Sequence, residues 1–417
     1  MEKIKQRFSR RLSRNRRPNP AQAPTVAPII APEAAPEAAT QAATQADMEP
    51  EAPVPLSQFT HTCTLEQVPF EIRHHILLAF DSPEDLCALV RASPVYRRQY
   101  RPKREYWLWR CMWALLDRTL IDAWDVYKSN GLVFRQSRTL KRQFIAEFET
   151  RRSITDDELS DTPRHKYVMR ITHFYMSYIR PLVQEYVAWA HGNLPALSTP
   201  LSLSKTEERR IIRRMYRFQL FCNYYGALPY ASQKEASSPE ERYAVLLFKT
   251  LNPWENEEFL CIDEFVESKY LAIFNQVRAD LHPDSPRFDP VRTDMYTPPG
   301  AYSIDEYREC HLKYGTASLG LKPLSTVLQI AAHSKLVDFV AENIASAGTW
   351  MEEFISESAQ EWRRQNAYSD HDRAQDTRQE LLFTGDQVDL PPKGWVAIWG
   401  GTYSNLYGHY IPPSLRT

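Results

Sequence analysis

Leu65-Glu-Gln-Val-Pro-Phe-Glu-Ile-Arg-His-His-Ile-Leu-Leu-Ala-Phe-Asp-Ser-Pro-Glu-Asp-Leu-Cys-Ala-Leu-Val-Arg-Ala-Ser93 is the most specific stretch of this chain. Its punctuation is helical. Thr64 and Gln67 have capping-box spacing ahead of Pro69, and Ser82-Pro83 sets a capping hydroxyl before a proline at the first helical position. Ser93-Pro94 repeats that pattern, so three helices are predicted to start near Pro69, Pro83 and Pro94. Val68, Ile72, Ile76 and Phe80 recur every four residues in the first, and Leu86, Leu89 and Val90 form the stripe of the second. A unit this short buries too little surface to stand alone. Its apolar face must cover the rest of the chain or meet another protein.

The surrounding composition agrees with a mainly α fold. Glycine is scarce, 12 of 417 residues with none before Gly131, or about 3% against a usual ~7%. After Pro102, the run Tyr106, Trp107, Leu108, Trp109, Met112, Trp113 and Leu116 reads as an aromatic-rich helix that docks the small unit onto the C-terminal body. Lys205–Tyr225 reads as a strong helix with Ile211, Ile212, Met215, Phe218 and Cys222 inward. Ser238-Pro-Glu-Glu241 opens a helix to Lys249. Asn252-Pro-Trp-Glu255 opens a long one carrying Phe259, Ile262, Val266, Tyr270, Ile273 and Val277 at helical spacing. Residues 281–301 read as an irregular loop, with helices resuming over Leu321–Glu342 and Trp350–Gln365. Gly394-Trp-Val-Ala-Ile-Trp-Gly-Gly-Thr-Tyr403 reads as a turn-rich apolar strap.

The expected organisation is a basic arm at 1–17, an Ala/Pro-rich linker at 18–56 without fixed structure, a small helical unit at 57–112, an irregular all-α domain at 113–380, and the strap at 381–417. Prolines at 20, 24, 28, 32 and 36 forbid a continuous helix in the linker. The formal net charge is −1, with +7 in residues 1–17 and therefore −8 in the rest. A mildly acidic body is a poor nucleic-acid binder, and no nucleic-acid partner is expected for it. The basic arm, with Ile4, Phe8 and Leu12 on one helical face, fits a nuclear address, a membrane-surface helix, a mitochondrial transit peptide or a solvated arm. Cysteines 63, 87, 111, 222, 261 and 310 show no CxxC spacing and read as reduced thiols of an intracellular protein, in cytoplasm or nucleus. No stretch reaches the ~18 apolar residues of a membrane span.

Chemical motifs are sparse. GxSxG, P-loop, GxGxxG and HExxH are absent from the sequence, so no enzymatic activity and no cofactor are expected. His282-Pro283-Asp284 lacks the basic helix that accompanies this triplet in J-domains. Asp370-His371-Asp372 has no second cluster to complete a metal site, and His74 and His75, adjacent on a helix, point apart. No metal is expected. Glu255, Glu257, Glu258, Asp263, Glu264 and Glu267 read as a solvated face complementing a helix dipole, with a basic-substrate surface as the sharper alternative. The acidic stretch Ile154–Pro163 reads as a loop open to phosphorylation.

The opening stretch resembles an F-box. That motif carries a Leu-Pro pair, Glu-Ile, an Ile-Leu pair, leucines in a second helix, then a small residue and an aromatic. Here stand Val68-Pro69, Glu71-Ile72, Ile76-Leu77, Leu86, Leu89-Val90, Ser93 and Tyr96, with Val68 in place of leucine and Tyr96 where tryptophan is common. The match covers about a tenth of the chain. More broadly, the chain resembles a fungal family of F-box-like proteins. The resemblance rests on Glu71-Ile72-Arg73 and Ala88-Leu-Val90 in this stretch, and on Arg217-Phe-Gln-Leu-Phe-Cys-Asn223, Pro253-Trp-Glu255 and Trp399-Gly-Gly-Thr-Tyr-Ser-Asn405 in the body. It implies a substrate receptor. Val68, Pro69, Ile72, Ile76, Leu77, Leu86, Leu89 and Val90 would fill a groove on a Skp-family adaptor joined to a cullin complex, and the body would hold an unknown protein substrate. Catalysis would then come from effective concentration. The competing expectation is a non-catalytic helical scaffold that keeps the unit only as packing. Burial of Ile72, Ile76, Leu86 and Leu89 separates the two.

Overall fold

The computed structural model describes residues 64–152, 167–193, 203–226, 251, 253–290, 304, 309–344 and 383–399. The basic arm, the linker, the helices expected at 238–249 and 350–365, the acidic loop, the Asp370–Asp372 cluster and everything after Trp399 lie outside the described residues. Met1–Gln67 and Val68–Thr417 group as separate compact units. Of the first, only the helical turn Thr64–Gln67 is described.

Within the second unit the described residues form helices and turns, with no strand among them. The small unit comprises α1 (Phe70–Leu78), α2 (Pro83–Ala92) and α3 (Pro94–Tyr100). Its starts fall where the sequence puts them. The Ser82 hydroxyl accepts from Asp85 N at 3.2 Å and the Ser93 hydroxyl from Tyr96 N at 3.4 Å, each followed by proline at the first helical position. α4 (Arg104–Leu116) comes after a single 3₁₀ turn and buries Trp107, Leu108, Trp109, Cys111, Met112 and Leu116. α1 and α2 both pack on it. The boundary expected between 112 and 113 thus falls inside a helix: burial of Met112 and Leu116 on the same rod makes the small unit continuous with the body.

α4 ends at Asp117, the one non-glycine with positive φ among the described residues (φ 53°). That conformation is costly for a residue with a Cβ. It is clamped by Arg209, which donates to Leu115 O at 2.9 Å and Ala114 O at 2.7 Å, and pairs with the Asp117 carboxylate at 3.5 Å. After the corner come α5 (Thr119–Ser129), α6 (Leu132–Gln136) and α7 (Arg138–Arg152). α8 (Val168–Phe174) continues through a π-helical turn, Tyr175–Ile179, into α9 (Arg180–Gly192). Pro181 explains the irregularity. It has no N–H for the carbonyl four residues back, Ser177 O, and that oxygen instead accepts from the Ser325 hydroxyl at 3.4 Å.

At the centre lies α10 (Lys205–Tyr225), opened by a capping box between Ser204 and Glu207. Around it pack α5, α6, α9 and α11 (Pro253–Val277). The expected stripe understates its burial. From Ile212 to Tyr225 every residue is buried, so the helix has no solvent face there. α11 matches its pattern: Phe259, Ile262, Val266, Tyr270, Ile273 and Val277 are all buried.

α12 (Glu309–Ala317), α13 (Leu321–Val327) and α14 (His333–Asn343) complete this part. The helical stretch expected over Leu321–Glu342 is two helices, interrupted over 328–332, although that segment holds no glycine or proline. Its halves serve different neighbours. α13 packs on α9 and the π-turn, α14 on α11. Near the end, 383–392 is irregular, and α15 (Lys393–Trp399) is a helix where turns were expected. Pro391-Pro392 delivers extended chain to its first turn, and Trp395 is buried against Trp254, ring centroids 6.2 Å apart.

Candidate partner-binding surface

The small unit is held together by a few specific bonds. Gln99 on α3 accepts from Arg73 Nε at 3.1 Å and donates to Phe70 O at 3.3 Å, while Arg73 also donates to Val68 O at 2.6 Å. These bonds fix the first turn of α1 to α3. Arg97 donates to Val90 O at 3.1 Å and Arg91 O at 2.6 Å, satisfying carbonyls that the end of α2 leaves open. Glu84 pairs with Arg180, and Asp81 with Lys205 at 2.8 Å, joining the unit to α9 and α10.

The eight residues expected to line one surface do not share it. Leu77 and Leu86 are wholly buried and Val90 nearly so, all within the chain's own core. Val68, Ile76 and Leu89 are half-buried, the last two packed against that core. Pro69 is exposed, and Ile72 is 48% exposed. The correction has a simple cause. α1 is apolar on both sides, so the side carrying Leu77 docks on α4 and the first turn is left outward. Phe70, 56% exposed in that turn, belongs to the outward set and was missed. Its signal was present, since an apolar residue at the first position of a helix has no preceding turn of that same helix to cover it. His74 stacks edge-on against Trp107 at 4.7 Å, a packing role. Among the described residues no cluster of His, Cys, Asp or Glu is arranged to hold a metal, and no helix is long and apolar enough to cross a membrane.

Behind this surface the body is held by a buried arginine ladder that the sequence pattern did not reveal. Arg210, Arg213, Arg214 and Arg217 on α10 are all at most 6% exposed. Arg217 donates to Asp122 at 2.9 Å and to Glu255 at 2.6 Å. Arg214 bonds Glu255 at 3.3 Å and Glu258; Arg210 bonds Glu258 at 3.1 Å and the Gln387 carbonyl. Arg213 bonds Asp389 and the Val388 carbonyl. Glu255 is fully buried, and Asp263 and Glu267 are also buried, so these three do not form a solvated acidic face. The basic partner of Glu255 and Glu258 is internal. Spacings of three and four between arginines 210, 213, 214 and 217, matched by Glu255 and Glu258 three apart, were the available signal.

The electrostatics are set by burial and pairing. Desolvation pushes the Arg214 guanidinium down to about 10, against the pull of Glu258. Desolvation opposes the charge on Arg217 too, but Asp122 and Glu255 outweigh it and hold its pKa above the ordinary value. Burial would raise the Asp389 carboxyl, yet Arg213 more than offsets this and keeps it below the usual carboxylate range.

No protein-family model matches the chain, and no curated protein or solved structure shows detectable similarity to it.

Proposed function

We propose that the chain is a substrate-receptor adaptor of a Skp–cullin–F-box type ubiquitin ligase, contacting the Skp-family adaptor through the first turn of α1. The reading rests on the F-box resemblance of the sequence together with one structural observation. Phe70 and Ile72, two large apolar side chains beside Pro69, stand in solvent on a turn that Gln99 and Arg73 hold rigid. Rigid apolar anchors are what a protein partner's groove takes up. The proposed contact set is Pro69, Phe70 and Ile72, flanked by Val68, Ile76 and Leu89. Leu77, Leu86 and Val90 support it from inside. The remainder of the body, with its arginine ladder, would hold the substrate as a stiff spacer.

A second reading keeps a specific observation in its favour. Leu77, Leu86 and Val90 are consumed by the chain's own core, as in a scaffold whose F-box-like unit serves only packing. Co-purification of the full chain with a Skp-family adaptor separates the two. Wild type captures adaptor and cullin, and Ile72→Asp or Phe70→Asp loses them while melting at the wild-type temperature. Adaptor absent from the wild-type preparation, or retained when Phe70→Asp and Ile72→Asp are combined, selects the scaffold.

A further inference from the structure

On the body, away from the first turn of α1, helices α5, α6, α8, α10 and α13 enclose a cleft of about 830 Å³. That volume falls within the range of small-molecule sites. Lys128, Arg135, Arg170 and Lys322 line it, and no Asp or Glu is among its described lining residues. Such a concentration of one sign runs against the chain, whose residues after 17 sum to −8. Nor are these cations spent on internal pairs. Among the described residues none of the four meets a carboxylate. Lys128 lies over Trp124 at 5.5 Å, Arg170 over Tyr127 at 6.0 Å and Lys322 over Tyr178 at 5.9 Å. Arg135 donates from one terminal nitrogen to Cys222 O at 3.3 Å and Asn223 Oδ1 at 3.4 Å, and its buried Nε has no acceptor among the described residues.

Two further features point to a ligand. Tyr216 lines the cleft, is 1% exposed, and its hydroxyl has no hydrogen-bond partner among the described residues. A buried hydroxyl without a partner is costly unless something supplies one. Burial holds that phenol well above its ordinary pKa, so it remains a donor. Aromatic rings line the cleft beside the charges: Tyr127 and Tyr167 lie tilted against each other at 5.2 Å, and Phe174 lies beside Tyr178 at 5.3 Å.

We infer that this cleft binds a small anion carrying a planar ring, its charge met by Arg135, Arg170 and Lys322 and its ring laid against the tyrosines. Cations fix the anionic end, and flat faces favour a planar body over a flexible chain.

The test is calorimetric titration of the full chain with AMP and flavin mononucleotide, set against adenosine, inorganic phosphate and a phosphotyrosine peptide. At least one of the two ring-bearing anions should bind, at least tenfold tighter than adenosine or phosphate, and more weakly as salt rises. Arg170→Glu and Lys322→Glu, both at exposed side chains, should each weaken binding about tenfold without moving Tm, and Tyr216→Phe severalfold. No binding of either ring-bearing anion at millimolar concentration overturns the inference. So does binding that the two charge reversals leave unchanged, or a preference for phosphate alone or for the peptide.

Discussion

Arg217 reaches across 95 residues of chain to place its Nε 2.9 Å from the Asp122 carboxylate, with both side chains buried. Its other arm meets Glu255 at 2.6 Å. One guanidinium therefore joins α5, α10 and α11. Removing it strands the Asp122 carboxylate in the core, while Glu255 keeps Arg214 at 3.3 Å. Arg217→Met should cost about 3–5 kcal/mol in denaturant unfolding, the usual cost of breaking a buried pair. Adding Asp122→Asn should recover part of the loss, leaving a coupling of about 1 kcal/mol or more in the double-mutant cycle. Simple additivity would show that the two groups are not linked.

The small unit should respond to charge according to depth. Leu86 is fully buried and Ile72 is 48% exposed. Leu86→Asp places an unpaired carboxylate in the core and should unfold or severely destabilise the chain, whereas Ile72→Asp should change stability by only about 0.5 kcal/mol. Thermal melts of the purified variants decide this independently of any partner.

Gly320 is fixed by its surroundings. Its φ is +100°, and a Cβ there would lie 2.6 Å from the Gln219 amide. That amide accepts from Leu321 N at 2.7 Å and donates to Asn223, which in turn donates to Ser129. Gly320→Ala therefore combines backbone strain with disruption of a buried polar chain, and should cost about 2–4 kcal/mol in chemical denaturation. A neutral substitution would mean that the turn relaxes without disturbing the Gln219 amide.

Alkaline stability should track buried tyrosines. Burial raises the phenols of Tyr175, Tyr186, Tyr216, Tyr224 and Tyr270 above their ordinary value. Because the folded state holds these protons more tightly, the contribution is whole below about pH 10 and declines as pH climbs beyond it. Tyrosinate absorbance from this group should emerge together with loss of helical circular dichroism. Ionisation well before unfolding would count against their burial.

Asp389 gives the acid counterpart. Its carboxyl is held below the usual range mainly by Arg213, against burial. Its contribution is present above about pH 4 and lost as pH falls through the folded value. Asp389→Asn should therefore flatten the stability–pH curve on the acid side only. An unchanged acid limb would mean that the Arg213 pair adds nothing to acid stability.

Legibility in the sequence tracked the range of the forces involved. Ser82, Ser93 and the prolines after them act on their own turn, and the helices start where they stand. The α11 stripe from Phe259 to Val277 is periodic because one side of one helix meets one core, and it was readable for that reason. Arg210, Arg213, Arg214 and Arg217 were not readable as buried, since a charged side chain enters a core only when carboxylates from other segments are already there. The break over 328–332 carries no local mark either. The cleft was wholly hidden, with its cations drawn from four separate segments.

By itself, then, the sequence determined a mainly helical chain, the starts of its principal helices, and a proline-punctuated stretch with more apolar surface than a unit of its size can cover alone. Tertiary structure decided how that surface is divided: Leu77, Leu86 and Val90 went inward because α4 offers them a face, and Phe70 and Ile72 in the first turn of α1 stayed outward. Local propensities act between neighbours in sequence, whereas burial of an apolar or charged side chain depends on what distant segments bring against it.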